Sequence, residues 1–102
     1  MKHFIVIITY TSPMTEIDEI LPSHREFLQK GYNSGILLMS GPQNPRSGGI
    51  VIARSESLNN LKDFFSNDPY NLQNAVNYRF IEFNPVKHQP FLSQWCQPQN
   101  SP

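Results

Sequence analysis

The sequence has one cysteine, no excess of charge and no long apolar run, and each absence narrows the class of protein. Cys96 has no partner for an intramolecular disulfide and no basic neighbour that would activate its thiol. Eight Lys and Arg residues balance eight Asp and Glu residues without a basic cluster, so the electrostatic basis of nucleic-acid binding is missing. The longest apolar run, Phe4 to Ile8, is too short for a bilayer span or a signal-peptide core. We therefore expect a cytoplasmic protein whose partners are neither nucleic acids nor membranes.

Signatures of metal and cofactor binding are also missing. His3, His24, His88 and Cys96 do not share the spacing of a metal-binding motif. The sequence has no phosphate-binding loop, no dinucleotide fingerprint and no serine-nucleophile motif. We expect a protein that uses neither a metal nor a cofactor.

Apolar periodicity predicts four strands and two helices in the order β-α-β-β-α-β. Strands are predicted over 3–10, 36–40, 49–54 and 75–84, and helices over 22–33 and 57–66. Ser57 is the predicted N-cap of the second helix. Pro22 lies inside a longer apolar stripe. Because proline lacks a backbone donor, we expect it to open the first helix after a short turn that carries Ile17 and Ile20.

This order of elements is that of a ferredoxin-like α+β domain, with a four-stranded antiparallel sheet and both helices on one face. The strands place apolar residues on both faces, since Ile50 and Ile52 alternate with Val51 and Ala53. A second subunit is the simplest cover for the face without helices. We therefore expect a homodimer of the dimeric α+β barrel type, although a higher homo-oligomer would satisfy the same pattern.

The domain is expected to end near residue 85, followed by a tail rich in proline and glutamine. Residues 85–102 hold four of the nine prolines, so the tail should be extended. Phe91, Leu92 and Trp95 are apolar and should not stay in water. We expect them to dock on the domain or on the partner subunit.

His24 and Asp68 are the candidate acid/base residues. His24 falls on the inner side of its helix, three residues before Phe27 and four before Leu28, so its imidazole should point toward the sheet. Asp68 precedes a proline, which restricts its backbone and directs its carboxylate; if it reaches His24, it would fix the tautomer and raise the basicity of the ring. Two other interpretations stay open. Asp68 fits the N-cap of a short helix opened by Pro69, and an inward histidine is often a core residue with a satisfied hydrogen bond.

Glycine, proline and a lone arginine between the second and third predicted strands supply candidate ligand-binding residues. Glycine lets a ligand approach the backbone closely, and an arginine can clamp a carboxylate or an enolate. With two tyrosines that would line the same pocket, the candidates are Ser40, Gly41, Pro42, Arg46, Gly48, Gly49, Tyr10 and Tyr70. The same residues also fit a hairpin loop, a solvated arginine and tyrosines used for packing.

Four short motifs follow one another along the chain. They are Ser23-His24-Arg25-Glu26-Phe27-Leu28 after a proline, Ser40-Gly41-Pro42, Gly48-Gly49-Ile50 and Asn67-Asp68-Pro69-Tyr70. In this order and spacing, residues 1–85 resemble the YCII-related (YciI-like) proteins. The resemblance implies a ferredoxin-like fold, assembly through the sheet, similarity to muconolactone isomerase, and an active site built on His24 and Asp68. The family is largely without an assigned reaction, and the tail lies outside the resemblance.

Two classes of function fit these residues. In the first, a cofactor-free enzyme uses His24, oriented by Asp68, to move a proton in a small cyclic or aromatic acid, as a lyase, isomerase or hydrolase. Loop amides and Arg46 would then hold the developing negative charge. In the second, a non-catalytic small-molecule-binding or interaction module uses the same dimer and pocket. A cofactorless monooxygenase of the same barrel type stays open, without a feature of its own in the sequence.

Overall fold

The computed structural model describes residues 1–97 and has a four-stranded antiparallel sheet in the order β2-β3-β1-β4. In chain order the elements are β1 (Lys2–Tyr10), α1 (Met14–Asn33), β2 (Leu37–Pro42), β3 (Gly48–Ser55), α2 (Leu58–Phe65), α3 (Pro69–Leu72), β4 (Val76–Phe83) and a 3₁₀ turn at Pro90–Leu92. The predicted ferredoxin-like α+β fold is confirmed. Ser57 caps α2 as expected, because its side chain accepts a hydrogen bond from the backbone N–H of Asn60 at 3.0 Å.

The core lies between one face of the sheet and the two long helices. Phe4, Val6 and Ile8 alternate along β1 with exposed fractions of 0 to 2%, as expected for a strand with one fully covered face. They join buried residues of the other elements in a single cluster, which includes Val51, Ala53, Ile17, Ile20, Phe27, Leu28, Leu61 and Phe65. Both helices therefore cover the same face, which we call the inner face.

The prediction that Pro22 opens a helix is wrong. Helix α1 runs without interruption from Met14 to Asn33, with Pro22 inside it. Ile17 and Ile20 before the proline and Phe27 after it are all buried in the same core. A proline inside a helix costs about 3 kcal/mol, since it removes one backbone hydrogen bond and crowds the preceding turn. We infer that burial of the apolar stripe on both sides of Pro22 outweighs that local cost.

The opposite face of the sheet, here called the outer face, is apolar and has no helix over it. Ile5 pairs with Ile52 on β3 and with Ile81 on β4, and Ile7 pairs with Ile50. Ile50 is 39% exposed, and the large side chains Met39 and Phe83 are exposed by 56% and 36%. Such a contiguous apolar surface is uncommon on a protein that works as a monomer.

The tail returns to one end of the outer face. The Trp95 carbonyl accepts hydrogen bonds from His3 Nε2 at 3.0 Å and from Arg54 Nη1 at 3.2 Å. The Trp95 ring lies 5.2 Å from the His3 ring, and the guanidinium carbon of Arg54 lies 5.3 Å from the Trp95 ring centroid. Cys96 is buried beside it, whereas Phe91 is 82% exposed. Docking through Phe91 and Leu92 stays a prediction.

Within residues 1–97, no helix has the length and hydrophobicity needed to cross a membrane.

Candidate active site

A cavity of about 340 Å³ opens between α1 and the ends of β1, β2 and β3. Its size suits a single small ring compound, since ligand pockets start at roughly 300 Å³. Eight of the ten predicted site residues line it: Tyr10, His24, Ser40, Gly41, Pro42, Arg46, Gly49 and Tyr70. Asp68 and Gly48 do not line it. Positions as far apart in sequence as Tyr10 and Tyr70 therefore meet around one cavity.

His24 and Asp68 form a buried hydrogen-bonded pair at the wall of this cavity. His24 Nδ1 lies 2.8 Å from Asp68 Oδ1, and the two residues are 7% and 0% exposed. Because a carboxylate only accepts, Nδ1 is the donor and carries a proton. Nε2, on the opposite edge of the ring, has no hydrogen-bond partner among the described residues. In the neutral ring Nε2 holds the lone pair, so it is the atom that can accept a proton from a ligand.

Asp68 also caps its own helix, so two of the sequence interpretations hold together. Its Oδ1 accepts a second hydrogen bond, from the backbone N–H of Tyr70 at 3.0 Å, while Pro69 stands at the first position of α3. A carboxylate oxygen has two lone pairs and can serve both donors. The cap fixes the carboxylate relative to the backbone, which in turn fixes the direction from which it meets His24.

Tyr78 was missed by the sequence analysis. Its hydroxyl donates to Asp68 Oδ2 at 2.7 Å, so the buried carboxylate has donors on both oxygens. Burial raises the pKa of Tyr78 well above its ordinary range, and the neighbouring Asp68 charge raises it further. A signal was present in the sequence, because Tyr78 lies two residues after Val76 on the predicted fourth strand, and residues two apart in a strand point to the same face.

Tyr70 forms part of the cavity wall against His24. Its ring stacks on the His24 ring with centroids 4.0 Å apart and planes 21° apart, and meets Tyr10 edge-on at 5.9 Å. Burial raises the pKa of the Tyr70 phenol well above its ordinary range, and nearby Tyr10 adds to the shift. Tyr70 is 2% exposed, and its hydroxyl lacks a hydrogen-bond partner among the described residues. A ligand oxygen beside this hydroxyl would relieve the cost of leaving it unpaired.

Arg46 reaches the cavity from the loop between β2 and β3. Its Nη1 lies 2.8 Å from Oδ1 of Asp18 on α1, and its guanidinium carbon lies 5.7 Å from the Tyr10 ring centroid. The hydrogen bond to Asp18 raises the pKa of Arg46, and Tyr10 adds to this effect. Arg46 is therefore an ion-paired residue at the cavity. Its partner, Asp18, was not among the candidates named from the sequence.

The glycine and serine positions divide into different roles. A Cβ atom on Gly48 would overlap the Ile8 carbonyl oxygen, so glycine is needed there for the close approach of β3 to β1. A Cβ on Gly41 would meet no atom within 4 Å, which leaves open space at the cavity. Ser40 lines the cavity, and its Oγ lies 2.6 Å from the hydroxyl of Tyr32. Like Tyr78, Tyr32 was not among the candidates named from the sequence.

The wall also includes residues that the sequence analysis did not single out. Arg25 follows His24 directly in the chain and adds a second cationic side chain. Leu21 and Leu28 supply apolar wall, three residues before and four after His24, a spacing that places them on the same side of α1. Within the described part of the chain, no three His, Cys, Asp or Glu side chains are placed to hold a metal ion together.

The fold and the site define a class of small α+β proteins: a ferredoxin-like domain with a ligand-sized cavity at one end of the sheet. The wall of that cavity includes two arginines and His24, which is hydrogen-bonded to the buried Asp68. The chain belongs to the family of the YCII-related domain, whose sequence model matches residues 1–84. The predicted resemblance is thereby confirmed.

One similar solved structure is 5-chloro-2-hydroxyhydroquinone dehydrochlorinase from Burkholderia phenoliruptrix, in complex with 2,5-dihydroxybenzoquinone. The identity is 16% and the TM-score is 0.66, and the match covers 87% of this chain and 97% of that one. At this identity the likeness supports the fold alone. Among curated proteins, none matches the chain.

Tyr78→Phe tests the support of the Asp68 carboxylate. The substitution should lower the free energy of unfolding by about 1 to 3 kcal/mol, because it removes the donor to a buried carboxylate oxygen. The raised pKa of Tyr78 keeps its phenol neutral in the folded state, while the unfolded phenol ionises near pH 10. Its contribution is therefore complete below about pH 10 and falls as pH rises further. The free energy of unfolding is measured with urea at pH 7.5 and at pH 11. It should fall less between these two pH values in the variant than in the wild-type protein.

Tyr32→Phe is the matched control for that experiment. It removes a hydroxyl whose hydrogen bond to Ser40 is exposed, and it should cost less than about 1 kcal/mol at pH 7.5. If Tyr78→Phe and Tyr32→Phe lower the free energy of unfolding equally, the buried hydrogen bond to Asp68 contributes no more to stability than the exposed one does.

Proposed function

We propose that the protein is a cofactor-free enzyme that uses His24 and Asp68 as an acid/base pair on a small, oxygen-bearing ring compound. The observation that carries this proposal is the 2.8 Å hydrogen bond between His24 Nδ1 and the buried Asp68 carboxylate, at the wall of a cavity of about 340 Å³. The bond leaves Nε2 as the basic edge of the ring. Arg25 and Arg46 add positive charge to the wall of the same cavity.

The proposed step is proton transfer next to a carbonyl group. Nε2 of His24 takes the proton from the ligand carbon, the C–H electron pair becomes a C=C bond, and the carbonyl electrons move to oxygen as an enolate. Asp68 stabilises the imidazolium that forms. Arg46 and the hydroxyl of Tyr70 are the groups proposed to hold the enolate oxygen.

The enolate then has two outcomes that need no further reactant. Return of the proton from Nε2 to a different carbon gives an isomerase, and expulsion of a leaving group from the ring gives a lyase. The similar structure is named as a dehydrochlorinase and holds a hydroxylated quinone. That chemistry supports a ring with acidic oxygens as the class of ligand. Hydrolysis, in which the proton comes from water, uses the same base and is the third form of the proposal.

Hydrogen–deuterium exchange on 2,5-dihydroxybenzoquinone tests the proposal without knowledge of the physiological reaction. Its ring C–H groups adjoin oxygen-bearing carbons and exchange in two steps: the ring carbon of the enolate takes a deuteron, which gives the keto tautomer, and the base then removes the original proton next to the carbonyl. In D₂O, the wild-type protein should accelerate loss of the ring proton signal over the protein-free rate, as measured by NMR. Binding of the quinone without accelerated exchange would count against proton transfer. Absence of both would count against the proposed class of ligand.

A non-catalytic binding module is the second candidate, and one observation favours it. Asp68 accepts hydrogen bonds from Tyr70 and Tyr78 as well as from His24, so its carboxylate supports α3 and β4 whether or not a reaction occurs. In that case His24 would only hydrogen-bond the ligand. The two candidates differ in turnover, which the binding module lacks.

We further propose that the protein works in the cytoplasm as a homodimer that pairs its outer faces. The isoleucines of β1, β3 and β4 form an apolar surface at the middle of that face, and the contacts of Trp95 with His3 and Arg54 lie toward one end. Two copies related by a twofold axis would each bury the same patch. The area that stays clear of Trp95 lies next to the cavity, since Ile50 belongs to both.

Ile52→Glu is expected to dissociate the dimer. Ile52 pairs with Ile5 and with Met39, so it lies inside the patch, and a symmetric interface would contain two buried carboxylates. The dissociation constant should rise by at least about 100-fold. Light scattering after size exclusion should give twice the chain mass of 11.8 kDa for the wild-type protein and the single mass for the variant. Gln29→Glu, on the exposed side of α1, should stay dimeric; a monomeric wild-type protein would contradict the proposal.

A further inference from the structure

Arg46 lines the cavity and is ion-paired with an acidic residue that does not line it. Asp18 lies on α1 outside the wall, and its Oδ1 is 2.8 Å from Nη1 of Arg46. The two side chains are 57% and 35% exposed, so water competes with the ion pair. Exposed pairs of this kind contribute little to stability and are readily exchanged.

The cavity wall includes two arginines and, in the described part of the chain, no carboxylate. Arg25 and Arg46 both line the cavity, and no Asp or Glu does so among the described residues. The guanidinium carbon of Arg46 lies 5.7 Å from the Tyr10 ring centroid. This cation–π contact can hold Arg46 at the cavity after its ion pair with Asp18 breaks. A ligand anion on the cavity side of Arg46 would be less exposed than Asp18 and would therefore be bound more strongly.

We propose that Asp18 occupies Arg46 while the cavity is empty, and that an anionic ring ligand takes its place when it binds. Asp18 then competes with the ligand for Arg46. It lowers the affinity for an anion that must displace it, so only a ligand whose negative oxygen binds Arg46 more strongly than the Asp18 carboxylate takes its place, whereas a neutral ring leaves the ion pair intact. This inference rests on the proposed function and assigns it a ligand class: enolates, phenolates or carboxylates on a ring, in preference to neutral rings.

Asp18→Asn and Glu19→Gln form a matched pair for the test. Each removes one negative charge from neighbouring exposed positions of α1, but only Asp18 is ion-paired with Arg46. The dissociation constant of 2,5-dihydroxybenzoquinone, whose hydroxyl groups are acidic, is measured by its visible absorbance. Hydroquinone serves as the neutral ring, and its binding is measured by calorimetry. We expect Asp18→Asn to bind the quinone about three- to tenfold more tightly than Glu19→Gln does, with no such difference for hydroquinone.

Arg46→Gln supplies the second half of a double-mutant cycle. Alone it should weaken quinone binding by about tenfold or more, since it removes the charge that holds the ligand oxygen. In the Arg46→Gln background, Asp18→Asn should no longer tighten binding beyond the effect of Glu19→Gln. That dependence separates competition for Arg46 from a general change in surface charge.

Three outcomes would overturn the inference, and they differ in what they imply for the enzyme. Equal affinities for Asp18→Asn and Glu19→Gln, or weaker binding by Asp18→Asn, would show that Asp18 does not compete with the ligand. An equal gain for hydroquinone would show that the effect is not one of charge. Either result leaves the acid/base proposal for His24 in place. If neither the wild-type protein nor Asp18→Asn binds the quinone, the proposed ligand class fails together with the role of Asp18.

Discussion

Asp68→Ala is expected to lower the free energy of unfolding by about 3 to 5 kcal/mol. The carboxylate is completely buried and accepts hydrogen bonds from His24, from the backbone of Tyr70 and from the hydroxyl of Tyr78. Removal leaves three buried donors without a partner, and each costs about 1 to 3 kcal/mol if it stays unpaired. Partial relaxation and entry of water keep the total below the sum. Urea unfolding at pH 7.5 gives the measurement.

Asp63→Ala is the control, because Asp63 is an exposed aspartate on α2, five residues before Asp68. Its side chain is solvated, so the substitution should stay within about 0.5 kcal/mol of the wild-type protein. Asp68→Asn is the informative intermediate. Its amide keeps one acceptor but presents a donor to either His24 or Tyr78, so its cost should fall between those of the other two variants. A loss below about 1 kcal/mol for Asp68→Ala would refute the view that this carboxylate organises the site.

The fold was predictable because its signals are local and repeated. Alternation of Phe4, Val6 and Ile8 against Ile5 and Ile7 fixes a strand with two apolar faces, whatever lies far away in sequence. The N-cap at Ser57 is equally local, since its side chain bonds a backbone N–H three residues later. Pro22 shows the limit of local rules. Proline is unfavourable inside any isolated helix, and only packing against the sheet decides that α1 continues through it.

The sequence named residues that meet around one cavity, but it did not show how they connect. His24 lies on α1, Ser40 and Gly41 on β2, and Arg46 in the loop after β2, and the topology brings them to one end of the sheet. Which donors reach a given carboxylate depends on side-chain directions that arise only after the elements pack.

The contacts that the sequence analysis missed follow from that limit. Asp68 appeared to require a choice between capping a helix and orienting His24, although one carboxylate has enough lone pairs for both. The contact of Tyr78 with Asp68 joins β4 to the start of α3. The ion pair of Arg46 with Asp18 joins the loop after β2 to α1. Neither pair has a short-range sequence pattern.

His24→Gln is expected to reduce the rate of proton transfer by about 10²- to 10⁴-fold, the contribution typical of a positioned general acid/base. Glutamine can still donate to Asp68 from its amide, so the buried carboxylate keeps a partner, but its amide cannot take up a proton near neutral pH. The stability loss should therefore stay below about 2 kcal/mol, from lost stacking on Tyr70. The exchange rate of the ring protons of 2,5-dihydroxybenzoquinone, measured with saturating ligand, reports the effect.

His88→Gln provides the comparison, because His88 is exposed in the tail and its ring bonds only the adjacent Gln89 carbonyl among the described residues. It should leave both the exchange rate and the unfolding free energy unchanged. Large loss of exchange with retained folding and quinone binding assigns His24 a chemical role. If His24→Gln instead loses several kcal/mol of stability while the exchange rate per folded molecule persists, His24 supports the fold through Asp68 and the protein is a binding module.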